Sequence, residues 1–351
     1  MTAIDPRPPS ATTSPLPPAP AAPRRPAPVL RVSGTRLEPW RDAVLIGVAN
    51  HAVLLVAAVL QPGYPLTVLL GVVLGVGLAT GTLTVLHDAG HRMFARSAWP
   101  NVLAVQTTVP AGLWVGQWTL KHRVHHKLSQ VYPVDESTRS SRFLRLHREA
   151  PLLPVHRHQH VYAWFLYGLA WVGEIKSQLT YLVTGVVTGT TTPSAARRTG
   201  SFLVEKALWV LVLAPYAARA GVGHVVVMLV VAMTVGSLIA AVVLTVGHIN
   251  LGLVAEPGPP GREWAAHLVR TTASFSTRGR LARWGTGGMT HHLAHHLRPA
   301  ALRSQLPVLH DTVVQQVVAD SGVPLSEYPT LASAVRAHYR RLQELGAPAP
   351  L

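Results

Sequence analysis

The sequence predicts an all-α integral membrane protein, with about four transmembrane helices, further helices at the membrane interface and a cytoplasmic helical cap. Three observations carry that prediction. Apolar residues fill 48% of the 351 positions and charged residues only 13%, a balance that soluble chains seldom show. Long uncharged runs recur along the chain. The Lys and Arg residues behind the net charge of +16 crowd some connections between those runs and avoid others.

The first forty residues include SATTSPLPPAPAAPRRPAPVL, rich in Pro and Ala and without an apolar h-region. They read as a disordered arm over 1–40, not a signal peptide. A membrane domain is expected over 41–345, followed by a short tail at 346–351. Ala43 to Leu60, Leu66 to Leu86 and Val225 to Gly247 are nearly uncharged, and at about 18 to 23 residues each is long enough to cross a bilayer. Leu203 to Ala220 contains Glu205, Lys206 and Pro215, yet it is read as a span because the strong spans on either side connect consistently only if the chain crosses there. Asn101 to Trp118 and Val161 to Thr190 are apolar but interrupted by Pro110, Glu174 and Lys176. They are predicted as re-entrant or interfacial helices. The cap is then drawn from 87–202 and 248–345.

Charge gives the orientation. With the N-terminus inside, 6 Lys and Arg precede the first span, 13 lie between the second and third, and 10 follow the fourth. The external connections hold only Arg219, with Lys206 at the inner edge of the third span. That asymmetry predicts both termini and the long middle loop in the cytoplasm. It accounts for the basic balance without a nucleic-acid partner. With no cysteine in the chain, there is no disulfide framework, thiolate site or Cys nucleophile, and any metal must be held by His, Asp or Glu.

The 19 histidines are not scattered. HDAGH places His87 and His91 at i, i+4 on the cytoplasmic end of the second span, where two imidazoles on one helical face can reach one metal. HRVHH supplies His122, His125 and His126. HHLAHH repeats the H-x-x-H-H spacing with His292, His295 and His296, and GHIN brings His248 to the inner end of the last span. All nine are predicted at one depth on one side of the membrane. A structural zinc takes four protein ligands and a catalytic zinc three, so eight or nine imidazoles imply two metals. Imidazole suits iron, copper, zinc and nickel alike, and the residues do not choose among them. His291 lies outside the repeated spacing and is left out of the set. His156, His158 and His160 in HRHQH read as a solvated interfacial cluster, and His51 as a hydrogen-bond partner of another helix.

Taken together, HDAGH, HRVHH and HLAHH in a chain with four spans resemble the membrane fatty-acid desaturase and hydroxylase family, whose signature is H-x-x-x-H, H-x-x-H-H and (H or Q)-x-x-H-H. Trp118 with Lys121 before the second box, SFSTRGRLARWGTGGMTHHLAHHLRP around the third and EYPTLASAVRAHYRRLQELG near the end are similar to bacterial acyl-chain desaturases. The likeness covers Ala43 to Leu345. It implies two non-haem Fe ions held by His87, His91, His122, His125, His126, His292, His295 and His296, with His248 as an additional ligand. It also suggests Asn250 as holder of a metal-bound water. Asp88 and Asp135 are expected to accept ligand N–H groups and so fix ring orientation.

The activity so implied is O2-dependent introduction of a double bond into an acyl chain, with hydroxylation as the alternative on the same scaffold. An acyl-lipid, acyl-CoA or acyl-ACP substrate would enter an apolar tunnel from the cytoplasmic side of a bacterial-type inner membrane. Neither the His-Pro-Gly-Gly of cytochrome b5 nor a flavin or nicotinamide glycine fingerprint is visible. Electrons are therefore expected from a separate donor, a ferredoxin with its reductase, which a basic cytoplasmic face suits. Two rivals fit less well. An intramembrane zinc protease would have Asp88 where the H-E-x-x-H general base is Glu, and leaves two H-x-x-H-H motifs unexplained. A transporter places ionisable groups near the midplane, whereas these histidines gather at the inner ends of spans.

Overall fold

The structure, a computed structural model, describes residues 37–253, 263–277 and 279–348. Among these residues, four helices are long and apolar enough to cross a membrane: Glu38–Leu60, Tyr64–Gly90, Ala195–Ala220 and Val222–Thr245. The first is α1. The second comprises α2 (Tyr64–Gly81), a π-helical turn (Thr82–Leu86) and α3 (His87–Gly90). The third and fourth expected spans are α8 and α9, joined at Gly221, whose φ of 89° is a conformation glycine adopts without strain.

These helices begin earlier than the hydropathy suggested. Helix α1 starts at Glu38, inside the stretch assigned to the arm, and residues 1–36 lie outside those described. Helix α8 starts at Ala195, ahead of Leu203, because its polar lower turns around Arg197 and Arg198 are helical too. Pro215 stays within it.

Helices α2 and α9 pack along their lengths, and small residues set the distance. A Cβ added at Gly71 would lie 2.9 Å from the Met228 carbonyl oxygen, and one at Gly75 would lie 2.7 Å from Val235 Cβ. Close backbone approach through small residues is how apolar helices associate where lipid offers no hydrophobic contrast.

Between the two helix pairs lie α4 (Ala98–Thr108), α5 (Val115–Lys127), α6 (Gln159–Gly168) and α7 (Ala170–Thr184). Helices α4 and α5 form a hairpin broken at Val109–Trp114, where Pro110 cannot continue a helix. Its tip meets the middle of α1. Asn50 Nδ2 donates to the Thr108 carbonyl at 2.7 Å, and His51 spans the Thr107 carbonyl and the Tyr216 hydroxyl, both at 2.7 Å. His51 is thus bonded between helices, as expected.

The cap follows with α10 (Trp264–Thr271), a two-residue parallel pair of β1 (Ser274–Phe275) and β2 (Glu327–Tyr328), α11 (Arg280–Gly285) and α12 (His292–Leu297). After α13 (Leu306–Leu309) and α14 (Gln315–Ser321), α15 (Leu331–Leu345) is the last helix of the described residues. Leu342 and Leu345 of α15 are buried with Leu146, Ala163, Tyr167 and Ile249, which docks the last helix onto α6 and the end of α9.

Candidate metal centre

Three short helical pieces and one turn carry the clustered histidines. The π turn at Thr82–Leu86 widens the hydrogen-bond ladder of α2 by one residue, a local irregularity frequent at functional sites, and so re-aims the turn that carries HDAGH. Gly287 explains part of the neighbouring GTGG sequence. Its φ is 63° and it lies against the Leu83 carbonyl, where a Cβ would overlap. Helix α5 ends with HRVHH, α12 consists almost entirely of HLAHH, and His248 sits in the turn after α9.

The imidazoles meet through ring nitrogens in two groups. In the first, the facing nitrogens of His87, His91, His122, His126 and His295 all lie within 4.8 Å of one another. His91 to His122 is 2.9 Å, His122 to His126 is 3.1 Å and His126 to His295 is 3.1 Å. The second group holds His125, His248 and His296, with His125 to His248 at 3.0 Å. His292 joins it through His296 at 3.2 Å.

Hydrogen bonding alone cannot satisfy this arrangement. A neutral imidazole nitrogen carries one proton or one lone pair, yet Nε2 of His122 and of His126 each face two other Nε2 atoms. A metal can satisfy it. At bond lengths of about 2.0–2.1 Å, neighbouring imidazole nitrogens on one metal fall about 3 Å apart. All-nitrogen donors of this kind fit a transition metal and not calcium or magnesium.

Charge state agrees with that fit. Burial lowers the pKa of His91 to about 4 and of His248 to about 3, with nearby cationic groups adding to it. Burial, then neighbouring imidazoles, takes His122, His126, His292, His295 and His296 well below the usual value. These rings are neutral near pH 7, with lone pairs available.

The outer nitrogens show how some rings are held. His125 Nδ1 donates to Asp135 Oδ2 at 2.9 Å. Burial works against the Asp135 charge, but His125 and the Gln130 amide outweigh it and hold the carboxyl well below its ordinary range. His248 Nδ1 donates to the Thr271 carbonyl at 3.0 Å, and Gln130 Nε2 bridges the carbonyls of His248 and Thr271. Asp135 was among the residues expected from the sequence, whereas Gln130, Thr271 and Ser129, whose carbonyl meets buried His267 at 2.8 Å, were not. The only local signal was the polar run SQVYPVD after the second box.

Other expectations are placed differently. Asp88 does not meet a ring nitrogen. It accepts from Arg303 Nη1 at 2.5 Å, and Arg303 also bonds Asp42. Asn250 is committed elsewhere: its Nδ2 donates to the carbonyls of Val246 and Ala334, and its Oδ1 accepts from the Leu251 amide. Its amide therefore ties α15 to the end of α9. His291 turns to Thr290 and His310. His156 is buried, accepting from the Leu153 amide and donating to the Arg142 carbonyl, so it is a folded-in anchor and not part of a solvated cluster.

A cavity of about 1060 Å³ opens onto both groups through His87, His122, His125, His248 and His292. Leu78, Leu86, Met233, Ala240 and Leu244 make much of its apolar wall. Trp118 stacks on His122 with ring centroids 4.4 Å apart, and Gly90 leaves the space that its indole fills.

Comparison with known proteins bears on this site. The model of the family described as fatty acid desaturase matches residues 63–329. The chain is similar to the sn-1 linoleoyl-lipid 6-desaturase of Synechocystis sp., 26% identical over 293 residues that cover 81% of each protein. It is 25% identical over 279 residues to the acyl-lipid (8-3)-desaturase of Physcomitrium patens, covering 75% of this chain and 57% of that protein. Against the chloroplastic acyl-lipid (7-3)-desaturase of Chlamydomonas reinhardtii it is 26% identical over 331 residues, 87% of this chain and 61% of the relative. The chain thus spans about three-fifths of the length of the latter two. Because the family match starts before α2, ends beyond α12 and takes in all nine clustered histidines, this chain belongs to the fatty acid desaturase family and is an oxidoreductase.

Proposed function

We propose that the protein is an acyl-lipid desaturase that uses O2 to introduce a double bond into an acyl chain at a pair of irons. His87, His91, His122, His126 and His295 would hold one, and His125, His248, His292 and His296 the other. The observation that carries this reading is that two groups of clustered imidazoles open on one largely apolar cavity. The names of the relatives, all acyl-lipid desaturases, support the substrate class.

When bound, the irons supply what side chains lack, oxidation of an unactivated C–H bond by dioxygen. The chain's own residues do the rest. The apolar wall removes the methylenes from water and holds them in register against the imidazole groups. Asp135 fixes the tautomer of His125, and the Thr271 carbonyl that of His248, so that each presents Nε2 inward. Gln117, Lys121, Glu174 and Ser177 form a polar stretch of the cavity, with Lys121 paired to Glu174 at 2.7 Å. That stretch suits the ester end of the substrate.

Electrons would come from a ferredoxin with its reductase. Exposed Arg92, Arg96, Arg123 and Lys127 follow or flank the first two histidine boxes in the chain and would offer an acidic donor a complementary face. The chain would lie in an inner membrane of bacterial type as a multi-pass protein, with the site and both termini cytoplasmic, as the distribution of Lys and Arg favours. The membrane domain would run to about residue 345.

Expression with ferredoxin and its reductase, followed by mass spectrometry of lipids and of acyl-CoA and acyl-ACP pools, tests the proposal. A lipid-bound product lighter by two hydrogens, from protein holding two irons, is expected. A product heavier by one oxygen would make it a hydroxylase. Protein that holds only zinc and yields neither product would overturn the reading.

A further inference from the structure

Glu205 and Lys206 are out of place by hydropathy, a carboxylate and an ammonium inside a helix otherwise fit to cross a membrane. Ionisable groups in such segments are costly and usually functional, yet neither reaches the imidazole groups. They meet the tip of the α4–α5 hairpin instead.

Helix α5 has no side-chain cap of its own at Trp114. Its first amides are met by Glu205: Oε2 accepts from Val115 N at 2.7 Å and Oε1 from Gly116 N at 3.4 Å. A carboxylate at a helix N-terminus satisfies orphan N–H groups and complements the helix dipole. Here it comes from about ninety residues further along the chain, a bond between helices and not a local turn.

The neighbouring contacts hold the same segment. Gln106 Nε2 bridges the Leu113 carbonyl at 2.8 Å and Glu205 Oε2 at 3.3 Å. Lys206 Nζ donates to the Gly112 carbonyl and to Gln178 Oε1. Trp209 Nε1 donates to the Pro110 carbonyl at 3.1 Å, and Trp114 Nε1 to Ser201 Oγ at 3.0 Å. One side of the tip is thus gripped by α8, while Ala111, Gly112 and Leu113 line the cavity.

We infer that Glu205 is a positioning residue: by capping α5 from α8 it sets where His122, His125 and His126 stand and where the Ala111–Leu113 wall of the cavity lies. The inference rests on the desaturase reading only for its effect on product. A rigid helix transmits a displacement of its first turn to its last. Loosening Val115 therefore shifts the second box relative to His295 and His248, and shifts the cavity wall with it.

The test compares Glu205→Ala, Glu205→Asp and Glu205→Gln in the full-length protein in membranes. One readout does not depend on activity: hydrogen exchange in peptides spanning 110–120, together with the visible spectrum of the cobalt-loaded protein. The alanine variant is expected to exchange at least tenfold faster there and to show altered cobalt bands. Glutamine, whose amide oxygen still accepts from Val115, restores most of both. If the alanine variant does not accumulate, aspartate, one methylene too short, is expected to behave as the intermediate case. The second readout is the product. Turnover is expected to fall with KM little changed, and the double bond to spread over neighbouring carbons.

Unchanged exchange and an unchanged cobalt spectrum in Glu205→Ala and Glu205→Asp would overturn the inference whatever the activity. Equal damage in glutamine and alanine would overturn the capping role. A wild-type protein that makes no alkene, with exchange and spectrum still responding to Glu205, would refute the desaturase reading and leave the positioning role standing.

Discussion

Asp135 Oδ2 accepts from Nδ1 of His125 at 2.9 Å, and Nε2 of the same ring faces His248 Nε2 at 3.0 Å. One carboxylate thus decides which nitrogen of His125 is left for a metal. Asp135→Asn removes the charge and leaves the tautomer undecided. A 10- to 100-fold loss of metal affinity is the usual cost of such a change. Iron retention against a graded chelator should show it, and chelation of the wild type should abolish turnover altogether.

His125→Ala and His295→Ala each remove a nitrogen from one of the two groups, so neither variant should form product while both still insert into membranes. His291→Ala is the control. That ring turns towards His310, and its loss should leave iron content and turnover at wild-type values. A fully active His295→Ala would remove His295 from the site.

Arg303 reaches Glu38, Asp42 and Asp88, with its side chain 11% exposed, while Arg41 pairs with Asp42 alone. Arg303 ties the start of α1 and the first histidine box to the cap. Arg303→Met leaves the Asp88 carboxylate without its ionic partner, a change that costs about 3–5 kcal/mol in comparable buried sites. Titrating unfolding with denaturant in detergent should show a loss of that order. Arg303→Lys should recover only part of it, because one ammonium cannot reproduce the fork.

His338 is fully buried on α15, with Nδ1 donating to the Ile249 carbonyl and Nε2 accepting from the Tyr167 hydroxyl at 2.8 Å. Burial lowers its pKa to about 4, so between roughly pH 6.5 and 4 the unfolded chain binds the proton and the folded one does not. Stability from this residue is complete above about pH 6.5 and declines as pH falls towards 4, by at most about 3 kcal/mol. Exchange rates in peptides 331–345 should rise over that interval. In His338→Gln that pH dependence should be lost.

The parts legible in the sequence are those with short-range signals. Three histidine boxes, four apolar runs, the Pro110 break and the carboxylate ten residues after His125 all announce themselves by spacing or composition. The parts that were not legible depend on partners far along the chain. Asp88 could not be assigned to Arg303, 215 residues away, and Asn250 could not be seen to serve α15. Local pattern places a polar residue but does not name its partner. The same limit made Glu205 and Lys206 look like blemishes in a span, and left His156, in a run of exposed neighbours, looking solvated.

The hairpin tip also imposes an order on synthesis. Residues 110–116 depend on Ser201, Glu205, Lys206 and Trp209 for hydrogen-bond partners, and lipid offers no substitute for such partners. While the ribosome is still making α6 and α7, the second box has no settled place. It must wait at the interface until α8 emerges. The residues that would hold the metals are thus assembled late, after the scaffold that could misplace them is already in the bilayer.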